Sequence, residues 1–344
     1  MERRVDISHQ RAGKPATQYC LFLALMIIIP LTVTFSTQVW LRSSYTGAVF
    51  HLQGFLNVYG TSVYRYRILS RYLLLSTYHF LASHYQDQPF VMPKDKQATF
   101  LFYAAYSFIN AAFFFLSNLM LLIFIWDRKT GISDLRLAQY FFIVLVLALS
   151  TYVVVPYDQI AYFFMLAAFL SVKCESTWIM YFVLGAAAIA GSLNRETEFL
   201  VSPALLTVGF FTPSAESKRF YRAGLYHLLL FAMCYVGLRV FLPGAPEVAA
   251  GLTYGGKWAI ASLIVVAALF YVGFSLAVRE YLDRRPTITL LILSAPYIVT
   301  ILMGGEIREL RLLVPVLLCL FFVYIQLARL NARTLTNTLA VTGG

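Results

Sequence analysis

Residues 99–126 pass without one charged side chain, through "FLFYAAYSFINAAFFFLSNLMLLIFI" at 100–125. A helix needs about 20 apolar residues to cross a bilayer. In lipid every backbone N–H and C=O must be satisfied internally, so a run like this folds as a helix. Comparable runs lie at roughly 19–41, 137–155, 159–173, 177–193, 198–212, 221–242, 257–279, 286–303 and 309–330. The pattern predicts an all-α, polytopic transmembrane helix bundle of about ten spans, a single integral membrane domain over residues 1–344. Several runs are short, as re-entrant or tilted helices are. A soluble domain is excluded by composition: 60% of the chain is hydrophobic and 12% charged, against roughly 25% charged in soluble proteins.

The basic start, with Arg3 and Arg4, precedes an apolar run that ends in no small-residue cleavage site. It reads as a retained first span rather than a signal peptide. The net charge of +11 is read as topological, because Lys and Arg collect on the cytoplasmic side of membrane proteins. Basic residues cluster in the N-terminal tail, in 127–136, 213–222 and 279–285, and in the C-terminal tail. With ten spans these five segments share one face, which places both termini in the cytoplasm. The opposite face receives the long loop 42–98 and the connections at 154–160, 193–199, 243–256 and 303–311. The long loop is aromatic, basic and helical in period, so it is expected to carry interfacial amphipathic helices. No nucleic-acid-binding motif is present. Cys20, Cys174, Cys234 and Cys319 are scattered, with no metal-ligand spacing, and read as free thiols. There is no phosphate-binding glycine loop, dinucleotide fingerprint, metal box or serine elbow, and no evident inverted repeat.

Charges at membrane depth are costly and tend to line cavities. They gather at the extracytoplasmic face. "GSLNRETEFL" (191–200) carries Asn194, Arg195, Glu196 and Glu198 between two apolar runs. On a helix Arg195 and Glu198 are i, i+3 neighbours and form a pair, which leaves Glu196 facing a cavity. Asn194 also suits a helix cap. "YRYRILSRYL" places Arg65, Arg67 and Arg71 among tyrosines. The arginine fork suits phosphate, and the same stretch also suits a basic helix lying on anionic lipid. "PYDQ" puts Asp158 at a span start, where capping and the helix dipole favour an acid. "GGEIRELR" interleaves Glu306 and Glu309 with Arg308 and Arg311 at the mouth of the last span.

The order "RYR", then "YD", then "LNRET" before a short span, then E-x-R before a final span resembles bacterial multispan envelope glycosyltransferases of the GT-C type. More loosely it resembles the O-antigen polymerases and ligases. The resemblance implies a bacterial inner-membrane protein of cell-envelope polysaccharide biosynthesis. Such a protein acts on polyprenyl-phosphate-linked sugars at the extracytoplasmic face. Its partners are then the bilayer and a lipid-linked saccharide; no soluble cofactor is required, and a divalent metal is compatible but not needed. Under this reading Arg65, Arg67, Arg71, Arg195, Arg308, Arg311 and Asn194 hold the phosphate or substrate. Glu196, with Asp158 and Glu306 behind it, supplies the acid/base group. GT-C enzymes usually carry an acid early in the first external loop. Here that loop offers only Asp87 and Asp95, near its polar tip. The base then comes from elsewhere, or the protein is an arginine-dependent polymerase or ligase, or it is no transferase. A transporter or flippase of an anionic lipid or saccharide, or a non-catalytic membrane scaffold, fits the same charges.

Overall fold

A computed structural model describes residues 27–28, 31–32, 35–36, 49–61, 63–90, 96–126, 132–152, 154–212, 214–242, 257–279, 281, 283–304 and 310–342. Most of the first expected span, the 243–256 connection, Cys20, Asp95, Glu306, Arg308 and Glu309 lie outside these residues. Among the described residues the chain is mostly helical and has no strand, with an isolated backbone bridge between Pro89 and Thr99.

Two helices occupy the long loop, α1 (Leu52–Thr61) and α2 (Ile68–His84), joined by a 3₁₀ turn at Val63–Tyr66. They are followed by α3 (Phe100–Ile125), α4 (Asp134–Leu149), α5 (Asp158–Ser171), α6 (Thr177–Ser192), α7 (Val201–Phe211), α8 (Ser214–Phe241), α9 (Lys257–Val278), α10 (Arg285–Leu293), α11 (Ala295–Gly304) and α12 (Leu310–Thr342). Among the described residues three helices are long and apolar enough to cross a membrane: Phe100–Ile125, Glu216–Phe241 and Arg311–Ala332. Local chemistry sets several boundaries. Ser133 and Ser176 cap α4 and α6 by accepting the backbone N–H of Arg136 and Ile179. Pro286 stands in the first turn of α10, where its missing N–H costs no hydrogen bond.

Some boundaries differ from the sequence expectation. The run 137–155 is helical only to Leu149 and tightens into a 3₁₀ turn at Ser150–Tyr152. The run 198–212 begins as a second 3₁₀ turn, Glu196–Leu200, before α7. The run 286–303 is two helices. Ser294, at φ −89° and ψ 1°, leaves the helical region, and its carbonyl accepts the N–H groups of Tyr297 and Ile298 as the chain turns into α11.

The bundle is arranged around α12. In its most apolar window 83% of residues are buried, against 17% for α8, so α12 is central and α8 peripheral. The central helix packs on α4, α5, α7 and α9. Its Phe322 stacks on Phe169 of α5 with ring centroids 4.1 Å apart. A second apolar cluster, with Phe50, Phe55, Phe102, Tyr106 and Tyr157, joins α1 and α3 to the segment before α5.

Cations sort to the two ends of α5. At its C-terminal end, Lys173, Arg136 and Arg329 donate to the last carbonyls of α3 at Ile123, Phe124 and Ile125. Arg219 donates to the Cys174 carbonyl beside them. Those carbonyls lack partners within their own helix and carry the negative end of its dipole. At the N-terminal end of α5 stand Arg67, Arg195 and Arg311. The 14 residues of α5 rise only about 21 Å, less than the roughly 30 Å hydrocarbon core.

Candidate functional site

The connection after α6 places the first group. Asn194 and Arg195 both donate their backbone N–H to the Gly191 carbonyl, which closes a turn. The backbone then extends at Arg195 (φ −162°, ψ 148°) before the 3₁₀ turn begins. This sends the Arg195 side chain back toward α5, where its guanidinium pairs with Asp158, both 4% exposed. The expected Arg195–Glu198 pair is therefore not formed. It needs helical geometry from Arg195 onward, and the extended residue removes that.

Asp158 also takes Arg311, at 3.2 Å, from the first turn of α12. One carboxylate thus bridges two buried guanidiniums from different parts of the chain. This replaces the capping role expected for Asp158; Tyr157 is the residue at the cap position, with no side-chain cap bond. The Tyr157 ring supports three arginines: Arg67 lies 3.8 Å above its centroid, Arg195 5.5 Å and Arg311 5.9 Å away. Arg311 Nη1 also donates to its hydroxyl at 3.2 Å. Burial would push the Tyr157 phenol up, but Arg311 and Arg67 outweigh it and hold the phenol below its ordinary value. For Arg195, burial alone would disfavour the charge, yet Asp158 more than offsets this and keeps the guanidinium protonated.

Backbone contacts hold the arrangement together. Leu69 N–H at the start of α2 donates to the Leu193 carbonyl at 3.0 Å, which fixes Arg67 beside the turn. Asn194 Nδ2 donates to the Tyr157 carbonyl at 2.9 Å. Tyr162 and Tyr297 donate to the carbonyls of Arg311 and Leu312, tying α12 to α5 and α11.

In front of this layer is a narrow cleft of about 10 Å³, lined by Tyr66, Arg67, Ser192, Asn194, Arg195, Glu196, Tyr235, Leu238 and Arg239. Glu196 is the carboxylate in it, partly exposed, with Oε2 3.8 Å from Arg67 Nη2. Burial would raise its pKa, but Arg67, a backbone hydrogen bond and Arg195 together hold it below the ordinary 4.5. It stays ionised around neutral pH. Arg239 lies 4.1 Å over the Tyr66 ring and donates to Tyr235 Oη at 3.2 Å.

Glu198 goes elsewhere. It lies fully enclosed, with Oε1 3.2 Å from His227 Nε2 in α8, while His227 Nδ1 lies 2.8 Å from Ser202 Oγ. The order Ser–His–Glu has the form of a nucleophile relay. All three residues are 0% exposed, however, so no substrate reaches Ser202 in this arrangement. What the chain does is fasten the 3₁₀ turn to α7 and α8.

Of the residues singled out in the sequence, Arg67, Asn194, Arg195 and Glu196 line the cleft, and Asp158 and Arg311 form the layer behind it. Arg65 and Arg71 are half-buried and are not among the lining residues. Glu306 and Arg308 lie outside the described residues. Sequence reasoning missed Tyr157, Tyr235 and Arg239. Arg239 had a legible signal, a lone cation near the end of an apolar run with a tyrosine four residues before it. Among the described residues no group of three His, Cys, Asp or Glu is placed to hold a metal ion, and Cys174, Cys234 and Cys319 are free thiols. No protein-family model, curated protein or solved structure matches this chain.

Proposed function

We propose that the protein is a membrane glycosyltransferase or polymerase acting on a polyprenyl-phosphate-linked sugar. In this reading it has about ten spans and lies in a bacterial inner membrane, with both termini cytoplasmic and the cleft at the extracytoplasmic face. The observation that carries the proposal is convergence. Arg67, Arg195 and Arg239 come from three separate segments, and all line one cleft that also contains an ionised carboxylate.

The division of labour follows from the surroundings. Arg67, Arg195 and Arg239 hold the phosphate, and their charge stabilises it as the leaving group. Glu196 takes the proton from the acceptor hydroxyl as the new glycosidic bond forms. Asp158 has both oxygens committed to arginines, so it orients them rather than reacting. Asn194 and Tyr157 hold the turn and the arginine layer. Arg308 and Glu306 keep the roles that the resemblance implies, phosphate binding and acid/base chemistry. No step requires a soluble cofactor or a metal.

The test is transfer by the purified full chain from a polyprenyl-phosphate sugar. A general base contributes roughly 10²–10⁴-fold, so Glu196→Gln should lose at least about a hundredfold. Full activity in Glu196→Gln and Arg67→Gln would sink the assignment. Flux of the lipid-linked sugar across liposomes without new covalent product would make the protein a transporter or flippase. A scaffold has a different signature, because its charges need only pair: the swap of Arg67→Glu with Glu196→Arg would then restore function.

A further inference from the structure

Glu198, His227 and Ser202 take no part in the proposed function, yet they form an enclosed chain of polar groups. Glu198 Oε1 lies 3.2 Å from His227 Nε2, and His227 Nδ1 lies 2.8 Å from Ser202 Oγ. Glu198 Oε2 is buried and has no hydrogen-bond partner among the described residues. It packs against Gly191, where the absence of a Cβ leaves room for it. Among the described residues no Lys or Arg pairs with this carboxyl; His227 is its partner. The elements packed on the turn explain why. α6 and α7 carry no Asp, Glu, Lys, Arg or His. Asp158 of α5 takes Arg195 and, from α12, Arg311. Tyr162 of α5 and Tyr297 of α11 donate to backbone carbonyls of α12. Cys319 of α12 faces Glu198, and its thiol donates to the Leu200 carbonyl at 3.4 Å. From α8, His227 reaches the carboxyl, whereas Arg239 stacks on Tyr66 and Tyr235.

This geometry restricts where a proton can sit. An enclosed carboxylate without a cation is costly, which favours the neutral acid. A proton on Oε2 would be a buried donor with no acceptor. A proton on Oε1 is donated to His227 Nε2, and His227 Nδ1–H then donates to Ser202 Oγ. Moving the proton onto the imidazole would make a buried ion pair, but Oε2 would still lack a donor, and such a pair needs further hydrogen bonds to offset desolvation. If the proton leaves for solvent, the chain reverses: Ser202 O–H donates to Nδ1, and Nε2–H donates to the carboxylate. The hydrogen bonds survive, but an unpaired charge is left enclosed. Exposing the carboxylate relieves that cost and draws the 3₁₀ turn away from α8.

We infer that Glu198 is a proton-binding site, a neutral acid that donates to His227 and so latches the turn carrying Arg195 and Glu196 to α8. Arg195 and Glu196 stand just before Glu198 in the chain and line the cleft, so the proton also sets how firmly both are presented there. Because the folded chain holds a proton that the unfolded chain releases, stability falls as pH rises beyond the range in which an ordinary glutamate titrates. The proton site is independent of the substrate assigned to the cleft.

Infrared difference spectroscopy of the full chain in nanodiscs reads the proton directly. At neutral pH wild type should show the C=O band of a protonated carboxyl. The band should shift on isotope labelling of glutamate and be lost in Glu198→Gln. It should fade as pH rises. With the same midpoint, nitrogen NMR should show the slowly exchanging ring N–H of His227 pass from Nδ1 to Nε2, which a merely structural contact would not do. In SDS titration the wild-type unfolding midpoint should fall from neutral to alkaline pH by more than that of Glu198→Gln, which mimics the neutral acid; groups that titrate elsewhere are common to both chains. If Glu198→Gln does not fold, the labelled band and the tautomer change in wild type carry the test. Absence of a protonated-glutamate band at neutral pH, or a His227 Nε2–H tautomer already present there, overturns the inference. So does the same pH dependence of stability in wild type and Glu198→Gln. None of these readouts needs a sugar donor, so the transferase reading and the proton site fail separately.

Discussion

Replacing Asp158 by Asn is isosteric and removes one negative charge. It leaves Arg195 and Arg311 facing each other at 4% and 6% exposure. At 3.2 Å and an effective dielectric near 20, a single pair attracts by about 5 kcal/mol, before desolvation is subtracted. Removing one partner of a buried pair leaves the other charge without compensation and costs roughly 3–5 kcal/mol. Arg195 loses its ion-pair partner and Arg311 loses one of its contacts here, so Asp158→Asn should fall within that range. Arg195→Gln should cost less, because Asp158 keeps Arg311. In the double variant the unpaired Arg195 charge is absent, so the two effects should fall short of additivity by at least about 1 kcal/mol, as for neighbours in one network. SDS titration of the full chain in mixed micelles, followed by far-UV circular dichroism, measures all four corners of the cycle. A loss below about 1 kcal/mol for Asp158→Asn, or strict additivity, would refute the bridging geometry.

Gly191→Ala should destabilise by roughly 1–3 kcal/mol, as overpacking does, because its new methyl overlaps the enclosed Glu198 side chain. Gly237→Ala meets nothing within 4 Å and should stabilise α8 by about 0.5–1 kcal/mol; thermal melts in detergent separate the pair. His227→Ala strands both Glu198 and Ser202 and should cost roughly 1–3 kcal/mol per unsatisfied group, whereas Glu198→Gln keeps a hydrogen-bonding partner for His227 and should cost less in the same titration. If Glu196 is the base, it must be ionised, and its pKa is depressed. The acid limb of the pH–rate profile should then lie below the ordinary glutamate value of 4.5 and move upward in Arg67→Gln. By the same sign, any stability that Glu196 contributes is present above its unfolded pKa and is lost as pH falls through the lowered folded value.

Some of this architecture follows from one dimension. Long apolar runs with few charges dictate helices, since nothing else satisfies the backbone in lipid, and 99–126 is such a run from end to end. The segregation of cations was also legible. Arg136, Arg219 and Arg329 belong to the basic segments and meet at one end of α5, whereas Arg67, Arg195 and Arg311 belong to the opposite set and meet at the other. The charge-bearing turn at 193–199 was recognisable as a place where charges enter an apolar chain, and most of its residues are buried.

The pairing of those charges was decided only by the tertiary structure. Helical spacing favoured Arg195 with Glu198, three residues apart. The extended backbone at Arg195 turned it instead to Asp158, 37 residues away, and the packing of α12 brought Arg311 to the same carboxylate from 153 residues away. Arg239 met Tyr66 across a still different interface. Spacing along a chain fixes neighbours only while the backbone stays regular. At the turns, where these side chains sit, partners are set by which elements pack together and by the cost of leaving a charge unpaired in a medium without water. "GSLNRETEFL" therefore supplied the charged groups, and the fold assigned Arg195 to Asp158, Glu198 to His227 and Glu196 to the cleft.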